Sequence, residues 1–240
     1  MERFWEIDFT RGIALVMMLV SNFVTDLQFF ANYAAFSLFW WWLARITAFI
    51  FVFLVGISLN ISYNKAKKEG TANFSKFLKR GLFIFGLGLL ITVVTYFTIP
   101  QAYIRFGVLH LIGLSIILAY PFMKLKRGVS LWLGLAFIVL GSVLSAITLN
   151  TGAFLLIGLT PSGFVSVDYF PLLPWFGVVL CGLYFGKLWY AKGERKFNLK
   201  HELSKKNPIC FLGRNTLWIY LIHQPIFIGI LHFLLGVKIF

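Results

Sequence analysis

The chain has few charged residues and almost no extended polar sequence. Only 12% of its 240 residues are charged, whereas a soluble domain has about 25%, and 60% are hydrophobic. The longest polar stretch, 187–207, is too short to leave a soluble core beside the apolar segments. Any chemistry is therefore expected in or at a lipid bilayer.

Cysteine is also scarce. Cys181 and Cys210 are the only two cysteines, and both lie in or beside apolar runs. We expect free thiols rather than a disulfide, and no metal site. The first apolar run is longer than the core of a secretory signal and has no small-residue cleavage site, so we expect it to be retained.

Seven apolar runs are long enough to cross a bilayer, which takes about 20 residues at about 1.5 Å each. They cover 11–31, 36–63, 81–99, 105–123, 129–149, 170–189 and 209–235. Because the runs are continuous rather than alternating, they favour helices over the strands of a barrel. The sequence predicts an all-α, polytopic transmembrane helix bundle of about seven spans, with 1–240 as a single domain in the cell membrane.

Positive charge is concentrated at one membrane face. Of the 22 Lys and Arg residues, 19 lie before or at the start of a span or in three loops on the same side; the others are Arg45, Arg105 and Lys238. The positive-inside rule then places the N-terminus in the cytoplasm and the C-terminus outside. Anionic headgroups suit this basic face. We expect no nucleic-acid partner, because the charge is spread over loops that border spans.

Five ionisable side chains interrupt the spans at nearly the same depth. Counted at about 1.5 Å per residue from the cytoplasmic end of each span, they lie about 20–27 Å in, where the hydrocarbon is about 30 Å thick. A charge in hydrocarbon is costly, so such residues usually face a cavity or each other and mark a functional site. They are Asp26, Arg45, His110, Asp168 and His223.

With Arg105 at a similar depth, these residue types supply the parts of an acyl-transfer site. A His can move protons near neutral pH, a neighbouring carboxylate fixes its tautomer, and an Arg can stabilise an oxyanion. The candidates are the bases His110 and His223, the orienting carboxylates Asp168 and Asp26, and the oxyanion-binding arginines Arg105 and Arg45.

Structural roles are open alternatives for the same residues. Asp26 and Arg45 could form an ion pair that joins the first two helices. Asp168 and Arg105 could be interfacial residues at span ends. His223 could bind a backbone carbonyl that the proline two residues later leaves without a donor.

Five short segments, spread from the first span to the last, carry a family resemblance. They are Glu-Ile-Asp-Phe-Thr-Arg-Gly-Ile-Ala at 6–14, Phe-Leu-Val-Gly-Ile-Ser at 53–58, Phe-Gly-Val-Leu-His-Leu-Ile-Gly at 106–113, Asp-Tyr-Phe-Pro-Leu-Leu-Pro-Trp at 168–175, and Gly-Arg-Asn at 213–215 with Tyr-Leu-Ile-His-Gln-Pro at 220–225. In this order they resemble the prokaryotic membrane family similar to the catalytic domain of heparan-α-glucosaminide N-acetyltransferase, within the transmembrane acyltransferases. The resemblance covers essentially the whole chain.

The resemblance implies transfer of an acetyl or other acyl group across the membrane. The donor substrate would be cytoplasmic acetyl-CoA or another acyl-CoA, without a metal, and the acceptor an external amino sugar, glycan or glycolipid. Arg11, Arg80 and Arg214 become candidate contacts for the CoA phosphates, with positive-inside anchoring as the alternative. An oligomer is compatible with the sequence.

One position departs from the family pattern. In the lysosomal enzyme the catalytic His lies in the outer loop that corresponds to 27–36, and this stretch contains no His here. Prokaryotic relatives often have a His in the first span, at the position of Asn22, which we include among the donor-binding candidates. The role of the base then falls to His110 or His223, or the chain has a different activity.

A transporter for a small molecule or lipid is the main alternative function, because it would use the same polar cluster as its binding site. Transporters often contain internal repeats with paired broken helices, and no repeat is evident between the two halves of this sequence. A purely structural membrane protein would leave the shared depth of the five residues unexplained.

Overall fold

The computed structural model describes residues 3–31, 38–199 and 207–235, which form α-helices joined by loops and two short 3₁₀ turns, with no β-sheet in those ranges. The all-α prediction is confirmed. The helices are α1 Trp5–Ala31, α2 Leu38–Lys68, α3 Phe74–Thr98, α4 Val108–Leu118, α5 Tyr120–Lys124, α6 Arg127–Leu144, α7 Leu172–Trp189, α8 Pro208–Arg214 and α9 Thr216–Leu235.

Six helices in the described ranges (α1, α2, α3, α6, α7 and α9) are long and apolar enough to cross a membrane. The chain is therefore a multi-pass membrane protein. The predicted span 105–123 instead forms the shorter α4 and then α5, which are separated at Ala119. Pro121 lies in the first turn of α5, where its missing N–H is tolerated. A seventh crossing by this segment stays a prediction.

The predicted span 209–235 is also divided. The side chain of Asn207 accepts hydrogen bonds from the backbone N–H groups of Ile209 (2.9 Å) and Cys210 (3.2 Å), which fixes the start of α8. Asn215 then leaves helical geometry between α8 and α9, with φ −105° and ψ 14°. The short helix α8 therefore precedes the span-length α9.

The helices group into two compact units, residues 1–51 with 199–240 and residues 52–198. In the first unit α1 packs against α8 and α9. A Cβ on Gly213 would overlap the backbone oxygen of Asp8, and one on Gly12 would overlap that of Ile209. Small residues of this kind let membrane helices approach backbone to backbone, so α8 lies directly on the first part of α1.

The second unit is built on two helix pairs, α3 with α4 and α6 with α7. A Cβ on Gly177 would come within 2.5 Å of the backbone oxygen of Gly134, so α6 and α7 meet at backbone distance. Asn60 of α2 is buried and donates to the carbonyls of Gly186 (2.7 Å) and Tyr190 (3.3 Å). These carbonyls also accept from the backbone N–H groups of Tyr190 and Gly193, so Asn60 adds a second donor to each and ties α2 to the end of α7.

Lys187 ties α7 to the turn between α5 and α6. Its ammonium donates to the carbonyls of Phe122 (2.7 Å) and Leu125 (2.8 Å) and to the hydroxyl of Ser130 (3.2 Å). The last carbonyls of a helix carry partial negative charge, so a cation there is favourable. Lys187 of α7 therefore caps the C-terminal end of α5.

Candidate active site

Each unit contains one of the two predicted histidines. In the first unit a cluster of four polar side chains lies between α1 and α9; we call it the α1–α9 cluster. Its members are Asn22, Asp26, His223 and Gln224. In α1, Asn22 and Asp26 are four residues apart, so they share a face and are separated by about 6 Å of helix rise. Asp26 and His223 are each only 6% exposed.

The hydrogen bonds of His223 define its tautomer. Its Nδ1 lies 2.6 Å from the carbonyl oxygen of Tyr220. A carbonyl can only accept, so Nδ1 carries the proton, and Nε2 of the neutral ring keeps its lone pair. That lone pair faces the Nδ2 amide of Asn22 at 2.9 Å. The ring is thus held in the form that can take a proton at Nε2.

The same bond bears on the structural alternative for His223. Pro225 has no N–H, so the carbonyl of Leu221 has no helical donor from it. His223 binds instead the carbonyl of Tyr220, one residue earlier. The ring therefore does reach a backbone carbonyl near the proline, but it uses only one of its two nitrogens to do so.

Asp26 is paired with Gln224. Its Oδ1 accepts a hydrogen bond of 2.6 Å from the Gln224 side-chain amide, while Oδ2 is buried and has no hydrogen-bond partner among the described residues. Arg45 is exposed and stacks on Trp41, with its guanidinium carbon 4.9 Å from the ring centroid. The possible ion pair between Asp26 and Arg45 does not form in the described structure.

His110 occupies a different kind of site, in the second unit. It is 2% exposed and its Nδ1 accepts from the backbone N–H of Gly107 at 3.2 Å. In the neutral ring the proton is then on Nε2, which lies 3.4 Å from the hydroxyl of Thr92. The rings of Phe85 and Phe106 lie 5.1 and 5.5 Å away. The Nδ1 lone pair of His110 is therefore occupied by a hydrogen bond from the backbone.

Asp168 caps the same helix end. Its Oδ2 accepts from the backbone N–H of Val108 at 3.0 Å. Asp168 and His110 therefore satisfy two successive N–H groups at the start of α4, which a helix leaves without internal acceptors. The structure gives His110 and Asp168 a shared role at the α4 N-terminus.

Arg105 lies in the loop before α4 and is exposed. Its guanidinium carbon stacks over the rings of Tyr103 (4.9 Å) and Phe164 (5.1 Å). The loop is joined to the segment before α7, since the N–H of Phe170 donates to the carbonyl of Phe106 at 2.9 Å. Arg105 thus helps to hold two loops of the second unit together.

Two of the three arginines predicted to bind the donor lie at one end of the first unit. Arg11 forms an ion pair of 3.4 Å with Asp8, and Arg214 also acts electrostatically on that carboxylate. Along α1 this end is separated from Asn22 by about 16 Å. Arg80 is exposed and belongs to α3 in the second unit.

Sequence reasoning missed two partners that define these sites, Gln224 and Thr92. Each is a single polar residue inside an apolar run, and a search limited to ionisable groups passes over them. The described residues contain no group of three His, Cys, Asp or Glu that could hold a metal. Cys181 and Cys210 are both buried and free.

A multi-pass helical chain with a polar cluster buried between two span-length helices is a membrane protein with a candidate internal site. The family model described as heparan-alpha-glucosaminide N-acetyltransferase, catalytic, matches residues 3–225. The protein belongs to this acetyltransferase family, and the resemblance carried by the five segments is confirmed. No curated protein and no solved structure matches the chain.

Proposed function

We propose that the protein moves an acetyl group from cytoplasmic acetyl-CoA, or another acyl group from its acyl-CoA, to an amino sugar, glycan or glycolipid on the opposite side of the membrane. Family membership supports acetyl transfer over the transporter alternative. The observation that carries the site assignment is the pair formed by His223 and Asn22. The Nε2 lone pair of His223 points at a hydrogen-bond donor and away from the backbone.

In this proposal His223 is the general base. Its Nε2 takes the proton of the acceptor N–H or O–H while that atom attacks the thioester carbonyl. The carbonyl–sulfur bond then breaks, and the CoA thiolate leaves and receives the proton from His223. A positioned general base contributes about 10²–10⁴ in rate. An acyl-His intermediate is the variant of this scheme that ping-pong kinetics would reveal.

Asn22 has a second task in the same step. In the resting site its amide donates to Nε2 of His223. Once a substrate separates the two side chains, the amide N–H groups are free to donate to the thioester oxygen, where negative charge develops. Asn22 would then bind the reacting end of the donor, which refines its predicted role as a donor-binding residue.

Donor binding at the other end of the first unit is proposed for Arg11 and Arg214. Arginine binds phosphate groups through paired, charge-assisted hydrogen bonds. The positive-inside rule puts this end at the cytoplasmic face, where CoA is available. A donor with its phosphates there would extend its acyl arm by about 16 Å along α1 to reach Asn22.

His110 and Asp168 support the fold in this proposal. His110 uses its Nδ1 lone pair on Gly107 and carries the ring proton on Nε2. A base at this position would first have to give up the hydrogen bond that begins α4. We therefore assign the catalytic base to His223.

The test uses the purified protein in lipid nanodiscs. Calorimetry with acetyl-CoA and with CoA should show saturable binding that weakens as salt increases. Transfer of radiolabelled acetyl to glucosamine should fall roughly a hundredfold or more in His223→Ala, while acetyl-CoA binding persists. Absence of acyl-CoA binding, or an unchanged rate in His223→Ala, would overturn the proposal. Uptake of glucosamine into proteoliposomes without acyl-CoA consumption would favour the transporter.

A further inference from the structure

Two side-chain hydrogen bonds connect α1 and α9 within the α1–α9 cluster. The amide of Asn22 lies 2.9 Å from Nε2 of His223, and Oδ1 of Asp26 accepts from the side-chain amide of Gln224 at 2.6 Å. The first bond holds the reacting pair of the proposed function, whereas the second joins two residues that have no task in that scheme. Hydrogen bonds between polar side chains hold membrane helices together, and because they are directional they also restrict how the helices meet.

The spacing of the four residues lets the two bonds fix the rotation of α9 against α1. On α1, Asn22 and Asp26 are four residues apart and share a face. On α9, His223 and Gln224 are consecutive, so their side chains leave the helix about 100° apart. The two bonds therefore reach α1 from either side of the face that α9 presents to it. A rotation of α9 in either direction would stretch one of them, which a single bond could not prevent.

The helix α9 needs such a restraint at this point, because Pro225 lies inside it. A proline removes the backbone hydrogen bond to the carbonyl four residues earlier, here that of Leu221, and helices bend at such positions. The rings of Phe23 and Phe227 also join α1 to α9, with their centroids 5.2 Å apart. Apolar contact of this kind is non-directional. The bond of Gln224 supplies a directional contact where the backbone has lost one.

We propose that Gln224 is a positioning residue, whose bond to Asp26 sets the rotation of α9 at which Nε2 of His223 meets Asn22. The catalytic consequence rests on the proposed function, in which Nε2 takes a proton from the acceptor. A displacement of about 1 Å at a reacting group can cost about a hundredfold in rate. The arginine end of the unit is about 16 Å away along α1. Loss of the bond should therefore lower kcat and leave the KM for acetyl-CoA nearly unchanged.

Three variants of the nanodisc protein test the positioning role. Gln224→Leu removes the donor at nearly the same side-chain size. The double variant Asp26→Asn with Gln224→Glu keeps both side-chain lengths and the hydrogen bond, but donor and acceptor are exchanged between the two helices. Gln28→Leu is the matched control, because it makes the same substitution at a half-buried residue of α1 outside the cluster.

Nitrogen NMR of histidine-labelled protein reports the contact without any turnover. The chain has four histidines, and the resonances of His223 are those missing from His223→Ala. Asn22→Ala marks the Nε2 resonance of a ring without its amide donor. Gln224→Leu should move Nε2 towards that value, and the double variant should return it to the wild-type value. Gln28→Leu should leave it unchanged.

Steady-state kinetics of acetyl transfer should follow the same order. We expect kcat to fall roughly tenfold to a hundredfold in Gln224→Leu at nearly constant KM, and to recover in the double variant. A wild-type Nε2 resonance in Gln224→Leu would overturn the inference. A displaced resonance or a low kcat in the double variant would also overturn it, even if Gln224→Leu did not fold.

The two proposals fail separately. If wild type transfers no acetyl group, but Gln224→Leu displaces the Nε2 resonance and the double variant restores it, the positioning role stands and the acetyltransferase function falls. If wild type transfers acetyl and Gln224→Leu keeps both the resonance and kcat, the function stands and the role of Gln224 is wrong.

Discussion

Nε2 of His223 lies 2.9 Å from the side-chain amide of Asn22, although the two residues are 201 positions apart in the sequence. The contact joins the first span-length helix to the last. It also separates two histidines that are equivalent by depth, because only His223 has an Nε2 lone pair free of the backbone.

Replacement of Asn22 separates two possible roles for its amide. If Asn22 donates to the thioester oxygen in the transition state, Asn22→Ala should lower kcat about a hundredfold and leave the KM for acetyl-CoA nearly unchanged. Steady-state kinetics of acetyl transfer measures both constants. Ser21→Ala is the control, since among the described residues the Ser21 hydroxyl bonds only the carbonyl of Met18 in its own helix, at 3.1 Å. A raised KM with an intact kcat would instead make Asn22 a ground-state contact of the donor.

His110 is expected to act on stability. His110→Ala removes the acceptor for the Gly107 N–H and should lower the free energy of unfolding by about 1–3 kcal/mol. His110→Asn should recover part of this loss, because an amide oxygen can accept the same bond. Thermal unfolding in detergent gives the ranking. Loss of turnover in His110→Ala with no change in stability would identify His110 as the catalytic base after all.

Contact between α1 and α8 depends on the absence of a side chain at Gly213. Gly213→Ala would drive a Cβ into the backbone oxygen of Asp8, and we expect a loss of about 1–3 kcal/mol in unfolding free energy. Gly229→Ala is the matched control in α9, where nothing lies within 4 Å of the added Cβ. Alanine is the better helix former by about 0.5–1 kcal/mol, so the control should be neutral or slightly stabilised. Equal melting temperatures for the two variants would contradict the packing argument.

Tyr169 provides a pH test in a loop outside the spans. Burial raises the pKa of Tyr169 to about 12, and its hydroxyl donates to the carbonyl of Leu155 at 2.6 Å. The folded state holds this proton more tightly than the unfolded chain, whose tyrosines titrate near about 10. Its contribution to stability is therefore complete below pH about 10 and is lost as pH rises towards 12.

Ultraviolet titration of wild type against Tyr169→Phe measures this directly. The difference between the two proteins should show one tyrosinate that appears only near pH 12. The stability advantage of wild type over the variant should narrow over the same range. A difference spectrum with its midpoint at pH about 10 would show that Tyr169 is accessible to solvent and would contradict this prediction.

The helices could be predicted well because their apolar runs are long. The run 129–149 became α6 Arg127–Leu144, and 170–189 became α7 Leu172–Trp189. Hydropathy did not show where a helix stops inside an apolar segment. The break at Ala119 depends on backbone geometry next to a proline, and the break at Asn215 depends on a helix cap. Neither feature changes the average hydropathy of its segment.

The site was predictable as a set of residues but not as a set of bonds. Depth singled out Asp26 and His223, and both side chains lie buried in the α1–α9 cluster. Depth could not show that the lone pair of His110 is bound to the backbone N–H of Gly107, since this depends on which ring nitrogen faces which group. Depth also could not show that Arg45 stacks on Trp41, four residues earlier on the same helix. The same side chain could equally have paired with a residue of another helix.

Lys187 has a consequence for the chemical reactivity of the chain. An ammonium group has three protons, and all three are committed here, to the oxygens of Phe122, Leu125 and Ser130. To react with an acylating reagent, the ammonium must first lose a proton and with it one of these three hydrogen bonds. Acylation of Lys187 would leave a single N–H and break at least two of these bonds, so the link between α7 and the turn between α5 and α6 requires a free amine at this position.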